Sequence, residues 1–254
     1  MSEILTTNVM LPKARAKATR LSPRILVLYG LPKVGKTKVL TQLDDCIILD
    51  TEDGVGMYDA LSVPIRSMRE LYKFIDAVEA EGAARAQQGI KGDALYPYRY
   101  IALDTLDMLE DYAETEATVK YKKSTQGKDF KGDSVLELAH GLGYWYLRTE
   151  VLEAIRRLSQ VCRNLILIVH VKEKLLDKKG EQVKSNDIAL TGRLGSMVCS
   201  KADAIGYMYQ ETDKAGVSHL KVSFATSEDQ IMGARQPYLA GQKFDFDWSK
   251  IYID

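Results

Sequence analysis

One run of eight residues limits this chain more than any other. Gly30-Leu31-Pro32-Lys33-Val34-Gly35-Lys36-Thr37 follows the apolar stretch Ile25–Tyr29 and precedes a helix expected over Thr37–Leu43. The spacing G-x-x-x-x-G-K-[ST] between a strand and a helix makes a loop that curls at its glycines, so that backbone N–H groups converge on phosphate. The helix opening adds the positive end of its dipole. Gly30, Leu31, Pro32, Lys33, Val34, Gly35, Lys36, Thr37 and Lys38 are therefore the expected nucleotide-binding residues. Lys36 is placed on the β- and γ-phosphates as a point charge, and the Thr37 hydroxyl on Mg²⁺.

The remaining sequence suits an α/β fold with a mainly parallel sheet flanked by helices. Ile25–Tyr29, Cys46–Asp50, Tyr100–Asp104 and Leu165–His170 are nearly continuous apolar runs, as expected of strands covered on both faces. Helical spacing recurs at Leu71, Phe74, Ile75 and Val78, and at Leu147, Val151, Leu152, Ile155 and Leu158. Ala204–Gln210 and His219–Thr226 read as an antiparallel hairpin near the C-terminus. Residues 1–24 look like a basic arm, carrying Lys13, Arg15, Lys17, Arg20 and Arg24 against Glu3. Residues 25–254 then form one domain with an extension from about 227, whose tail Phe244–Asp254 is expected to pack on the core, with contact to a partner as the alternative. Two stretches, Lys120–Gly143 and Glu173–Ser200, are polar, contain glycine and read as long functional loops.

A phosphate loop needs a carboxylate at the end of a neighbouring buried strand to hold the metal, and Tyr100-Ile-Ala-Leu-Asp104 supplies one. Thr37 and Asp104 are thus the expected metal residues. A second acidic strand end, Ile47-Ile-Leu-Asp50-Thr-Glu52-Asp53, lies on the side where open α/β sheets bind ligands. Glu52 is favoured to orient the attacking water, with Asp50 and Asp53 as structural or capping acids.

Charge excludes one class. With 35 Lys plus Arg against 35 Asp plus Glu, the net charge is zero, so no nucleic acid or membrane is bound through bulk positive charge. Cys46, Cys162 and Cys199 are odd in number and form no CxxC pair, which argues against disulfides and a thiolate zinc site. No apolar run approaches the roughly 20 residues that span a bilayer. A cytoplasmic protein without membrane contact is expected.

With these residues in place, the chain resembles the RecA-like P-loop ATPases, in particular the short phage single-strand annealing recombinases built on a bare RecA core. The resemblance covers about residues 22–226 and implies an enzyme that binds and hydrolyses ATP with Mg²⁺, stimulated by DNA. It gives Glu52 the role of activating water, and it puts a polar γ-phosphate sensor at His170, where the family usually has another residue. Lys36, Glu52, Asp104 and His170 are then the expected catalytic set. The resemblance also assigns single-stranded DNA to the two polar stretches, through Lys120, Lys122, Lys123, Lys128 and Lys131, interleaved with Tyr121 and Phe130, and through Lys178 and Lys179. It further implies a homo-oligomer, ring or filament, that borrows a basic residue in trans from among Lys172, Lys174, Arg193 and Arg235. A single-strand-binding protein is a further expected partner. The alternatives are a P-loop nucleotide or metabolite kinase, disfavoured because Glu173–Ser200 offers only Arg193 for an arginine-rich lid, and an ATP-gated oligomeric module that ignores DNA.

Overall fold

Strands β1 (Ile25–Gly30), β2 (Cys46–Asp50), β3 (Ser62–Pro64), β4 (Tyr100–Asp104), β5 (Asn164–Lys178) and β7 (Ala204–Thr212) run parallel, in the spatial order β3-β2-β4-β5-β1-β7. The structure is a computed structural model describing residues 14–15, 17–18, 20–178, 181–227 and 230–253, with the backbone alone for 173–178 and 181–185. Beyond β7 the sheet continues antiparallel through β8 (Ser218–Ser223) and β10 (Lys243–Asp245), while the two-residue β9 (Gly233–Ala234) pairs with the start of β7.

The continuous apolar character of the central strands follows from burial on both faces. Val27, Leu49, Leu103 and Leu167 point to a core built with helices α2 (Met68–Gln87), α3 (Leu106–Lys123), α4 (Leu142–Gln160) and α5 (Leu194–Lys201). Leu26, Ile48, Ala102 and Ile166 point to the other face, covered by α1 (Lys36–Leu40) and the C-terminal segment with its short helix α6 (Trp248–Ile251). In α4, Leu147, Val151, Ala154, Ile155 and Leu158 are buried along one stripe. Each large aliphatic there contributes about 1.5–3 kcal/mol relative to exposure.

The extension packs on the core, as its apolar residues require. The indole of the buried Trp248 donates to Val39 O at 2.7 Å, and Tyr252 stacks on it with ring centroids 5.8 Å apart. This ties the tail to the helix that follows the phosphate loop.

Four expectations need correction. Glu173–Ser200 is not a loop: β5 runs on past His170, Val171–Lys178 pairs with β6 (Glu181–Ile188), and α5 follows. The hairpin projects beyond the main sheet, so its polar residues carry no apolar alternation to betray it. The first polar stretch is also largely built, since α3 extends to Lys123, two 3₁₀ turns occupy 135–137 and 139–141, and α4 starts at Leu142. The helix expected over Thr37–Leu43 ends at Leu40. Finally, residues 22–24 are stitched to the body rather than lying in an arm. Ser22 Oγ accepts from Ile253 N at 3.0 Å, Asn164 Nδ2 donates to Pro23 O at 2.9 Å, and Arg24 N donates to Asp203 Oδ2 at 2.9 Å.

Candidate nucleotide site

The register puts the ends of four parallel strands at one edge: Gly30 lies opposite His170, Asp50 opposite Asp104, and Asp104 opposite Ile168. Because β5 is inserted between β1 and β4, His170 falls between the phosphate loop and the Asp104 strand end. All four expected catalytic residues, Lys36, Glu52, Asp104 and His170, are brought to this edge.

The loop itself is held from three sides. Gly35 takes φ 117°, a left-handed conformation that a side chain would oppose, and caps α1. Gln210 Nε2 donates to Val34 O at 3.0 Å and is fixed in turn by Ser218 Oγ at 2.9 Å. The buried Lys36 ammonium donates to Gly30 O and Leu31 O, both at 3.0 Å. Two of its three N–H groups are thereby used, and one remains for a phosphate oxygen. Burial lowers the Lys36 pKa, opposed by the nearby carboxylates of Asp104, Asp107 and Glu52. Leu31, Pro32, Lys33 and Lys38 are exposed around the loop.

Thr37 Oγ1 donates to Asp104 Oδ2 at 2.6 Å, so the two expected metal residues meet directly. Asp104 is 4% exposed, and burial pushes its carboxyl up to about 6 against the lowering effect of the Thr37 hydrogen bond. A hydroxyl and a buried carboxylate, all-oxygen donors in a place that disfavours lone negative charge, fit Mg²⁺.

Glu52 leaves the chain just past β2, half in solvent, with Oε1 accepting from Thr105 Oγ1 at 2.9 Å. Thr51 and Thr105 lock the two acidic strand ends together: Thr105 N donates to Thr51 Oγ1 at 2.7 Å and Thr51 N to Asp104 O at 2.9 Å. Asp50 plays an internal part, its carboxylate accepting from the N–H groups of Glu52, Gly54 and Val55 at 3.1 Å each. Asp53 is exposed and pairs with Arg66.

His170 has a partner that sequence reading missed. Its Nδ1 lies 2.7 Å from Asp107 Oδ2 and 3.7 Å from Glu52 Oε1, and its backbone N–H donates to Asp107 Oδ1 at 3.1 Å. The hydrogen bond to Asp107 raises the His170 pKa above its ordinary value against desolvation, while Asp107 is held below the usual carboxylate range. Nδ1 is engaged, so Nε2 is the ring nitrogen left to meet a ligand. The signal in sequence was an acid three residues after Asp104, in the first turn of α3. Gln210, Thr51 and Thr105 carried no motif at all. A cleft of about 370 Å³ opens beside the loop between Gly35, Lys38, Gln42, Gln210, Leu220 and Phe246.

The expected DNA residues are not gathered at this edge. Asp107 starts α3 at the nucleotide site, and Lys123 lies about 24 Å further along the same helix at 1.5 Å per residue. Lys120 is engaged internally: its ammonium bonds both oxygens of the buried Glu150, at 2.6 and 2.7 Å, and lies 5.5 Å from the Tyr72 ring centroid. Tyr121 is buried against Phe130 and Tyr146, which removes its face from solvent. Lys122, Lys123, Lys128 and Lys131 are exposed, with Lys122 over the Phe130 ring at 5.9 Å. The side chains of Lys178 and Lys174 and all of Lys179 lie outside the described residues. Of the residues considered for donation in trans, Lys172 bonds Leu190 O, and Arg235 bonds Asp203 and Ser200 O at 3.1 and 2.8 Å; Arg193 is exposed.

Comparison with known proteins places this geometry. A family model described as an AAA domain matches residues 22–235. The SPbeta prophage-derived uncharacterized protein YorG of Bacillus subtilis (strain 168) is 24% identical over 208 residues. The match takes in 80% of this chain and 56% of that protein, so the chain spans little more than half the length of its relative. Among the described residues no helix is long and apolar enough to cross a membrane.

Proposed function

We propose, from the premise that this chain belongs to the AAA domain family of P-loop ATPases, that it is a RecA-like, Mg²⁺-dependent ATPase stimulated by single-stranded DNA and assisting strand annealing in recombination. The observation that carries the ATPase part is the meeting of Lys36 and Thr37 from the phosphate loop with Asp104, Glu52 and His170 from three other strand ends at one sheet edge.

In this reading Lys36 holds the β- and γ-phosphates, and the base lies in the cleft beside Lys38 and Phe246. Thr37 and Asp104 would hold Mg²⁺, which would supply positive charge to offset the negative charge developing on the phosphates. Glu52, positioned by Thr105, accepts the hydrogen bond of the attacking water. His170, whose protonated form is favoured by Asp107, presents Nε2 to the γ-phosphate. The element order, the exposed lysines of Lys122–Lys131 and the prophage setting of the relative support the DNA and recombination part. A homo-oligomer, ring or filament, with Arg193 donated between subunits completes the proposal, together with a single-strand-binding protein as partner.

The test of the site is Glu52→Gln, measured by binding of a fluorescent ATP analogue and by phosphate release. Binding is expected to survive while turnover falls by about 10²–10⁴-fold. Unaltered turnover would take Glu52 out of the reaction.

A further inference from the structure

The opening of α4 exposes an aromatic pair beside the lysine segment. Trp145 is 53% exposed, Tyr144 37% and Leu142 43%, immediately after the left-handed Gly141. The other tryptophan, Trp248, is buried. A soluble surface seldom leaves an indole and a phenol side by side in water without a partner.

Three observations say what that partner is. Arg148 lies three and four residues after Trp145 and Tyr144, on the same helix face, and among the described residues neither it nor Lys122, Lys123, Lys128 or Lys131 makes an ion pair. The rings are linked in series to that basic segment: Trp145 to Tyr146 at 4.9 Å between centroids, Tyr146 to Tyr121 at 5.1 Å, and Tyr121 to Phe130 at 5.4 Å, with the Lys122 ammonium over Phe130. Tyr144 also reaches the second polar stretch, its ring 4.0 Å from where a Cβ on Gly192 would stand. Unpaired cations bordering exposed aromatic faces match the backbone charge and base faces of a single strand.

We infer that Tyr144 and Trp145 form the base-stacking platform of the single-strand site, with Arg148 and the Lys122–Lys131 segment contacting phosphates. This rests on the DNA part of the proposed function. It replaces Tyr121 and Phe130, whose rings serve the internal packing between α3 and α4. The packed rings fix the platform, because Tyr146 is held by the buried Tyr121 and positions the neighbouring Trp145.

The test is titration of the whole chain with oligo(dT) and with the same strand made abasic, read by tryptophan fluorescence and by anisotropy of the labelled strand across a salt series. Oligo(dT) is expected to quench the Trp145 emission, and the abasic strand to bind more weakly without quenching. Trp145→Ala is expected to lose roughly ten-fold in affinity with the salt slope kept, and Trp145→Phe to recover most of it. Lys122→Ala with Lys123→Ala is expected to flatten the salt slope and keep the quench. If the wild type binds oligo(dT) but Trp145→Ala binds equally well, the platform is wrong and the DNA reading stands. If the wild type binds no oligonucleotide, the DNA reading itself falls and takes the platform with it. A Trp145→Ala protein that keeps its affinity but changes its sedimentation would make the patch a contact between subunits, which also overturns the inference.

Discussion

His170 stands between two carboxylates, Asp107 from α3 and Glu52 from beyond β2, with Lys36 as the opposing cation from the phosphate loop. The Asp107 hydrogen bond dominates and raises the His170 pKa above its ordinary value of about 6.5. The sign follows directly. The histidine's share of stability is fully present below its unfolded pKa and is lost as pH rises through the raised folded value. The share of Asp107, whose folded pKa is depressed, is present above the unfolded carboxylate value and is lost as pH falls through the folded one. Turnover that uses the imidazolium should therefore hold at low pH and decline as pH rises through the raised His170 value. Asp107→Asn removes the charge that holds the proton, so the alkaline limb of the kcat profile should move to lower pH with ATP affinity at low pH kept. A limb that stays in place would show that His170 does not act as a cation. The phosphate loop and Asp104 were legible in sequence because motif spacing and a buried strand end mark them. Asp107 was not, because its partner His170 is 63 residues away and the pairing exists only once β5 lies beside β4.

At the scale of elements, one junction supports both the nucleotide-side helix and the aromatic platform. Gly143, in the first turn of α4, packs so tightly on the 3₁₀ turn at 135–137 that an added Cβ would stand 1.7 Å from Val135 O. Val135 N is itself held by Thr118 Oγ1 of α3 at 3.0 Å. Gly143→Ala should cost about 1–3 kcal/mol in chemical denaturation, and hydrogen exchange should quicken in residues 124–141 while the central strands remain protected. Uniform exchange across the chain would contradict this local role. The central strands and the stripes of α2 and α4 were readable because both strand faces and one helix stripe are buried, which writes a period into the sequence. The β5–β6 hairpin and the 3₁₀ turns were not, since they carry mostly polar residues and no period.

For the whole molecule, zero net charge is the sum of separated parts. Acids gather where strand ends meet at the nucleotide edge, with Glu52, Asp104 and Asp107 within one site, while Lys122 and Lys123 lie in the last turn of α3 and Lys128 and Lys131 beyond it. Helix α3 spans the two, with Asp107 in its first turn and Lys123 at its end. It packs against α4, whose first turn carries Trp145. In the proposed function, that single helix is the route by which strand binding would reach Asp107 and His170. The most direct measurement is phosphate release with Mg²⁺, with and without oligo(dT), on the wild type and Lys36→Ala. The account predicts Mg²⁺-dependent hydrolysis that rises on adding the single strand and is lost in Lys36→Ala in either condition. Hydrolysis that survives in Lys36→Ala, or that is indifferent to the strand in the wild type, would contradict it.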